Sequence, residues 1–291
     1  MKISAEALHK CEPLFGVYVG SMTSVVAFQR RLFGSGMLPK DLTSETLRVL
    51  SSYQIDRSQG TYCLLVNGLV WDAEIVLRTV YETFAKVTLI ASSSAAERDQ
   101  LVDEYWNELS DIYDRKAASK AAAAQRLATD YDPKSVRVFA ALQDPKSFNL
   151  EVKANKLARS RIEQRWSFSG ILHRLSRDDS KMAPIGPDAL SHIYGMASHV
   201  AHASSRALEL MQDRQLRGSD LVDLEVGHVC RMLSDAVSLL CFGLYWVDRC
   251  FMGANEMHED LRTAFDQIHA ATAPHQDAFD RSQDELYDGQ K

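Results

Sequence analysis

The chain has 291 residues, 46% hydrophobic and 25% charged, with 7 Pro and 14 Gly. That balance excludes a disordered or collagen-like chain, and the length allows a sizeable core without disulfides or metals. A net charge of −6 carries no global basic bias, so composition gives nucleic-acid binding little support.

Residues 14–32 repeat apolar side chains at helical spacing until Gly34-Ser35-Gly36 breaks the pattern. Pro39 and Asp41 lead into a second helix over 42–56. A long periodic stretch follows over 59–90, with Cys63, Val66, Val70, Leu77, Tyr81, Phe84 and Thr88 on one side. Ser94-Ala95-Ala96-Glu97 has the form of a capping box, in which the Ser and Glu side chains satisfy free N–H groups of the first turn. It opens a helix over 95–127, whose alanine-rich second half has high helix propensity but little core-forming surface.

Asp132-Pro133 reads as an N-cap with proline at the first helical position, opening a short helix to 142 that Asp144-Pro145 closes. Residues 147–187 are less regular, and Pro184, Gly186 and Pro187 mark a loop. Two long helices are predicted over 188–216 and 220–252, parted by Gly218-Ser219, and a last one over 256–271. Pro274 then separates that helix from an acidic tail. No run alternates with period two. The expectation is an all-α bundle of long antiparallel helices without a sheet, one domain over 1–272 followed by an acidic tail over 273–291.

Cys11, Cys63, Cys230, Cys241 and Cys250 have no metal-type spacing and read as small hydrophobes in a reducing compartment. The first ten residues lack an apolar leader core. The most hydrophobic run, 236–247, is shorter than a bilayer span and reads as a core helix. These features point to the cytoplasm and to no membrane partner. Charge is unevenly placed: 255–291 holds nine acidic against three basic residues, and 151–181 holds eight basic against four acidic.

One polar constellation stands out. Glu74, Arg78 and Glu82 recur at steps of four within an apolar helix, as do Tyr194, Ser198 and His202 in a later one, with His199 nearby. Were the two helices to pack, a carboxylate would orient the His202 imidazole, suited to proton transfer near neutrality, and Arg78 would hold an anion. The plainer alternative is a structural network: an Arg78–Glu82 pair, with Ser198 and His202 as satisfied polar groups fixing helix register.

These segments, Leu77-Arg78-Thr79-Val80-Tyr81-Glu82 and Tyr194, Ser198, His202 with Ala203, resemble the signature stretches of an uncharacterised, mainly bacterial helical family, domain of unknown function 5677. The resemblance spans roughly residues 60–210. It implies an all-helical fold and that Arg78, Glu82, Ser198 and His202 belong together, and it implies no settled activity. A looser likeness runs to HEPN helical bundles, many of them RNases that share an Arg-x(4–6)-His motif, which the constellation itself does not reproduce.

Arg262 and His269 do fit that spacing and lie about two turns apart, beside the acidic tail. Glu225-Val226-Gly227-His228 matches one copy of the Glu-x-x-His motif of di-metal bundles, to which His199, His202, Glu74 or Glu82 would have to add ligands. Residues 153–177 interleave Lys156, Arg159, Arg161, Arg165 and Arg174 with Trp166, Phe168 and His173. That suits a nucleic-acid groove or, more simply, an amphipathic helix. Cys250 beside Arg249 comes nearest to a reactive thiol but sits late in a helix. No P-loop, dinucleotide fingerprint or nucleophile elbow is present, so no cofactor is expected. The favoured reading is a binding module with a polar groove. The alternatives are a phosphodiester-acting enzyme, using His202 as acid or base and Arg78 against anionic charge, and a metal-binding bundle. RNA, a small anionic ligand and a second copy of the chain stay open as partners.

Overall fold

In a computed structural model the described residues are 2–127, 137, 140, 156–177 and 186–288, and they form helices and turns with no strand, as the all-α reading expects. The chain divides into two compact units, Met1–Ser92 with Leu172–Lys291, and Ser93–Ile171. The first holds α1 (Ala5–Gly34), α2 (Leu42–Leu65), α3 (Val70–Ser92), α8 (Pro187–Ala201), α9 (Ser205–Leu216), α10 (Leu221–Met252) and α11 (Glu259–Asp288). The second holds α4 (Ala95–Asp103), a π-helical turn (Glu104–Leu109), α5 (Ser110–Leu127) and α6 (Lys156–Trp166), after which α7 (Phe168–Leu175) leads the chain back into the first.

The first unit is built around α10, which packs against α1, α2, α3 and α11. Val229, Cys230, Met232, Leu233, Ala236, Val237, Leu239, Leu240 and Cys241 are buried along it in near-unbroken succession, the pattern of a helix covered on nearly every side. By length and composition α1 and α10 are each apolar enough to cross a bilayer. This corrects the expectation drawn from residues 236–247, because α10 extends well beyond that run at both ends. Within its most apolar window 78% is buried inside the protein, so that apolar surface faces other helices.

Several boundaries differ from the sequence reading, each for a local reason. The stretches 42–56 and 59–90 are redivided, because α2 runs through to Leu65 and the chain turns at 66–69. There Gly68 adopts φ +72°, its carbonyl accepts from Ile3 N at 3.0 Å, and Asn67 Nδ2 caps Cys63 O at 2.8 Å. A Cβ at Gly68 would meet Ile3 Cγ1 at 3.4 Å and would strain a left-handed backbone. Ser94 is an N-cap, as expected, yet its side chain makes no capping bond.

The helix expected over 188–216 breaks after Ala201. Ala203 takes φ +46°, and Ser204 Oγ accepts from Ala207 N to start α9. The final helix continues through Pro274 to Asp288, where an acidic tail was expected. The short helix expected over 133–142 lies outside the described residues except for 137 and 140, both helical, as does most of the expected loop before Gly186.

Candidate functional site

A step of four residues overshoots one helical turn by about 40°, so Glu74 and Glu82 on α3 face directions about 80° apart. Because α3 packs against both α10 and α8, that rotation divides the Glu74/Arg78/Glu82 row between two neighbours.

On the α8 side, Arg78 Nη2 donates to Tyr194 Oη at 2.7 Å, and the Tyr194 hydroxyl donates to Glu82 Oε1 at 2.8 Å. The Arg78 guanidinium also lies 4.9 Å from the Tyr194 ring centroid and 3.3 Å from Glu82. The residue that meets Arg78 and Glu82 is therefore Tyr194. Ser198 is half-buried one turn further on, and His202 is exposed as the C-cap of α8. No hydrogen bond or ion pair joins Ser198 or His202 to Arg78 or Glu82 among the described residues. His199 turns to Ser204, with Nδ1 3.0 Å from its Oγ.

On the α10 side, Glu74 enters a larger and more deeply buried network. Glu74 is 2% exposed. Its Oε2 accepts from His228 Nε2 at 2.8 Å and from Arg231 Nη2. Arg231 Nη1 donates to Asp235 Oδ2 at 3.0 Å and to Tyr81 Oη at 3.1 Å, and the Tyr81 hydroxyl donates to Asp235 at 2.6 Å. Arg214, from α9, donates to His228 Nδ1 at 2.5 Å while its guanidinium lies 4.7 Å from the Trp71 ring centroid. Among the described residues Glu74 Oε1 has no hydrogen-bond partner, and it is shut off from solvent.

The electrostatics follow from burial and from these contacts. Burial alone would raise the Glu74 carboxyl, but the Arg231 charge and the His228 N–H outweigh it and hold the group at about 2. Burial and then the Arg214 charge push the His228 imidazole down to about 3, against the pull of Glu74. Burial and the neighbouring Arg231 lower Arg214 to about 10. Burial raises the Asp235 carboxyl against the pull of Arg231, and burial with Asp235 drives the Tyr81 phenol well above its usual range. At neutral pH the picture is a carboxylate and two guanidinium groups around a neutral imidazole.

This network forms one wall of a cavity of about 190 Å³ inside the first unit. Glu74, Arg214, His228 and Arg231 supply its polar face, with Gln276 and the exposed His192. Trp71, Ile193, Met196, Val200, Leu210 and Phe279 supply the apolar one. Gly227 brings α10 close to α11: a Cβ there would fall 2.8 Å from Phe279 Cβ, and Gln276 Nε2 donates to Gly227 O at 3.4 Å.

The remaining sequence candidates are dispersed. Glu225 accepts from Ser4 N and Oγ at 2.9 and 2.7 Å, apart from the Glu74–His228 pair. Among the described residues no three His, Cys, Asp or Glu side chains are grouped to hold a metal ion. Arg262 pairs with Glu256, whereas His269 Nε2 lies 2.9 Å from Ser238 Oγ, so the two do not act on one point. Within the 153–177 stretch, Trp166 is buried with Nε1 donating to Glu104 at 2.6 Å, which is the amphipathic arrangement, and residues 153–155 lie outside the described residues. Burial raises the Cys11 and Cys230 thiols to about 12, and Cys250 is half-buried.

Arg214, Arg231, Asp235, Gln276 and Phe279 were not singled out by sequence. A signal existed for three of the site residues: His228, Arg231 and Asp235 follow one another by three and four residues, polar groups on one face of an otherwise apolar helix.

Fold and site together define an all-helical protein with a polar network set against a half-open, mainly apolar cavity. The chain belongs to a family of unknown function, DUF5677, whose model matches residues 46–218. The match includes Trp71, Glu74, Arg78, Glu82, Tyr194 and Arg214 and stops short of His228 and Arg231. No curated protein and no solved structure matches the chain.

Proposed function

We propose that this protein is a binding module for a small, mainly apolar molecule, which it holds in the cavity between Trp71, Met196 and Phe279. The observation that carries the reading is the cavity wall itself: Trp71, Ile193, Met196, Val200, Leu210 and Phe279 line about 190 Å³ of space on the apolar side, and Glu74, Arg214, His228 and Arg231 on the polar side. Cavity size fits the reading as well: an apolar cavity of about 150 Å³ holds a benzene-sized molecule.

Binding is favoured over catalysis by His228. Its two ring nitrogens are both occupied, Nδ1 by Arg214 and Nε2 by Glu74, so it has no free lone pair for a substrate proton. A phosphodiester reaction run by Arg78 and His202 would need both at one substrate, and Arg78 is instead engaged by Tyr194 and Glu82.

Saturation-transfer NMR with toluene, benzyl alcohol, phenol and indole tests this reading, on the wild type and on Met196→Trp, which fills the cavity from a half-buried wall position. Transfer to at least one probe in the wild type, lost in a folded Met196→Trp protein, is the expected result. No transfer to any probe, or equal transfer in both proteins, overturns it.

A further inference from the structure

We infer that the ligand carries one carboxylate on its apolar body, and that Arg214 receives it. This inference rests on the binding reading above and narrows it to a ligand class.

Arg214 is the cation of the cavity wall that no carboxylate holds. Glu74 and Arg231, the other charged groups of that wall, are paired with each other, and Arg231 is paired again with Asp235. Glu74 is 2% exposed, so its charge is answered inside the protein. Among the described residues Arg214 makes no ion pair, and its one hydrogen bond runs from Nη1 to the neutral His228 imidazole. Nε and Nη2 form the opposite edge of the planar guanidinium. They make no hydrogen bond among the described residues, yet they are not shut off from solvent as Glu74 Oε1 is. Two parallel N–H groups on one edge match the two oxygens of a carboxylate. The guanidinium is set between His228 and the Trp71 ring, 4.7 Å away, and both of these line the cavity.

Charge points the same way. Burial and the nearby Arg231 lower Arg214 to about 10, so its positive form is held at a cost that an incoming anion relieves. A ligand cation would instead meet both guanidinium groups. Arg214 and Trp71 also border a second groove, but there the carboxylate present is Glu225, held by Ser4 rather than by a cation. An anion in that groove meets a like charge and lacks the surface of Met196 and Phe279. The cavity is half-open, so the apolar body lies along Trp71, Met196 and Phe279 without being limited to one ring.

The test compares phenylacetate with phenylacetamide, a neutral probe of nearly the same shape, by NMR titration of the full-length protein at neutral pH. Transfer from water alone ranks the amide above the ionised acid. The inference reverses that order: phenylacetate binds about ten- to hundredfold more tightly. Arg214→Met, provided its circular dichroism matches the wild type, abolishes the preference, and a folded Met196→Trp protein loses both probes. Should Arg214→Met fail to fold, the wild-type ratio and the Met196→Trp block decide by themselves.

Phenylacetamide binding as tightly as phenylacetate overturns the carboxylate inference while leaving the cavity a binding site. So does silence from both compounds where the four probes of the preceding experiment bind. A preference that survives in folded Arg214→Met overturns the role of Arg214, and phenylacetate binding that survives in Met196→Trp places the anion outside the cavity. Failure of both compounds and of all four earlier probes overturns the binding reading itself.

Discussion

Arg214 Nη1 lies 2.5 Å from His228 Nδ1, and that single contact sets the protonation of the buried histidine. A guanidinium only donates, so Nδ1 must be the acceptor and the ring proton sits on Nε2, where it is donated to Glu74 Oε2 at 2.8 Å. His228 is thus held neutral between a cation and an anion. Geometry and electrostatics agree, since burial and Arg214 keep the imidazole down at about 3.

The first prediction concerns acid. The folded His228 lies below its unfolded value of 6.5, so between about 3 and 6.5 the unfolded chain binds more protons and stability falls as pH falls. Glu74, held at about 2 against an unfolded 4.5, contributes stability that is present above 4.5 and is lost as pH falls toward 2. The two windows add in the same direction. Loss therefore begins near pH 6.5 with a slope of up to about 1.4 kcal/mol per pH unit from His228. Urea midpoints measured from pH 7.5 to 4.5 should fall steadily in the wild type and more shallowly in His228→Gln. The residual slope belongs to groups such as His269, which burial also lowers. Parallel profiles would contradict the assignment.

The second prediction separates the two polar clusters by depth. Removing Arg231 leaves Glu74 and Asp235 without their shared cation, so Arg231→Met should destabilise the fold by about 3–5 kcal/mol. Arg78 and Glu82 keep 23% and 33% of their side chains exposed, and Arg78→Met should cost about 1 kcal/mol. Chemical denaturation of both variants checks the ranking. Equal losses would show that the Glu74 network is not the more deeply coupled one.

A third prediction concerns the Arg78 cluster itself. Tyr194 bridges Arg78 and Glu82 through its hydroxyl, so Tyr194→Phe should cost about 1 kcal/mol. His202 is exposed at a helix end, and His202→Ala should stay within about 0.5 kcal/mol of wild type. A large loss on removing His202 would restore it to the constellation.

The fourth prediction uses the close approach at Gly227. Alanine favours a helix interior, yet its Cβ would lie 2.8 Å from Phe279 Cβ. Gly227→Ala should therefore displace the part of α11 beyond Pro274 at a cost of about 1–3 kcal/mol. Hydrogen exchange over residues 275–281 should rise, and adding Phe279→Ala should restore much of the loss in stability. Unchanged exchange would mean that this contact does not hold α11 in place.

Much of the fold was legible because helical periodicity and helix ends are local. The break at Gly34 and the start at Asp41 follow from residues adjacent in sequence. Asn67-Gly68 went unread because apolar spacing continues across it from Cys63 to Val70, while the turn is held by Ile3, more than sixty positions away in sequence. The break at 202–204 was hidden likewise: Ala203 adopts a left-handed backbone that its type does not announce.

The site was half legible. Steps of four drew attention to Glu74, Arg78 and Glu82, yet periodicity alone does not say which neighbour each faces. The rotation of α3 sends Glu74 to α10 and Glu82 to α8, and Tyr194 takes the place expected of His202. Glu-x-x-His was noticed for its metal spacing, but Glu225 is drawn to Ser4 at the N-terminal end of α1. Arg214 and Phe279 reach the cavity from α9 and α11, a convergence that only tertiary packing creates.

The most direct measurement is the anomalous bromine signal from crystals soaked in 4-bromophenol. Bromine density is expected in the cavity between Trp71, Met196 and Phe279. Bromine bound only elsewhere on the protein, or no bromine density at all, would contradict the binding reading.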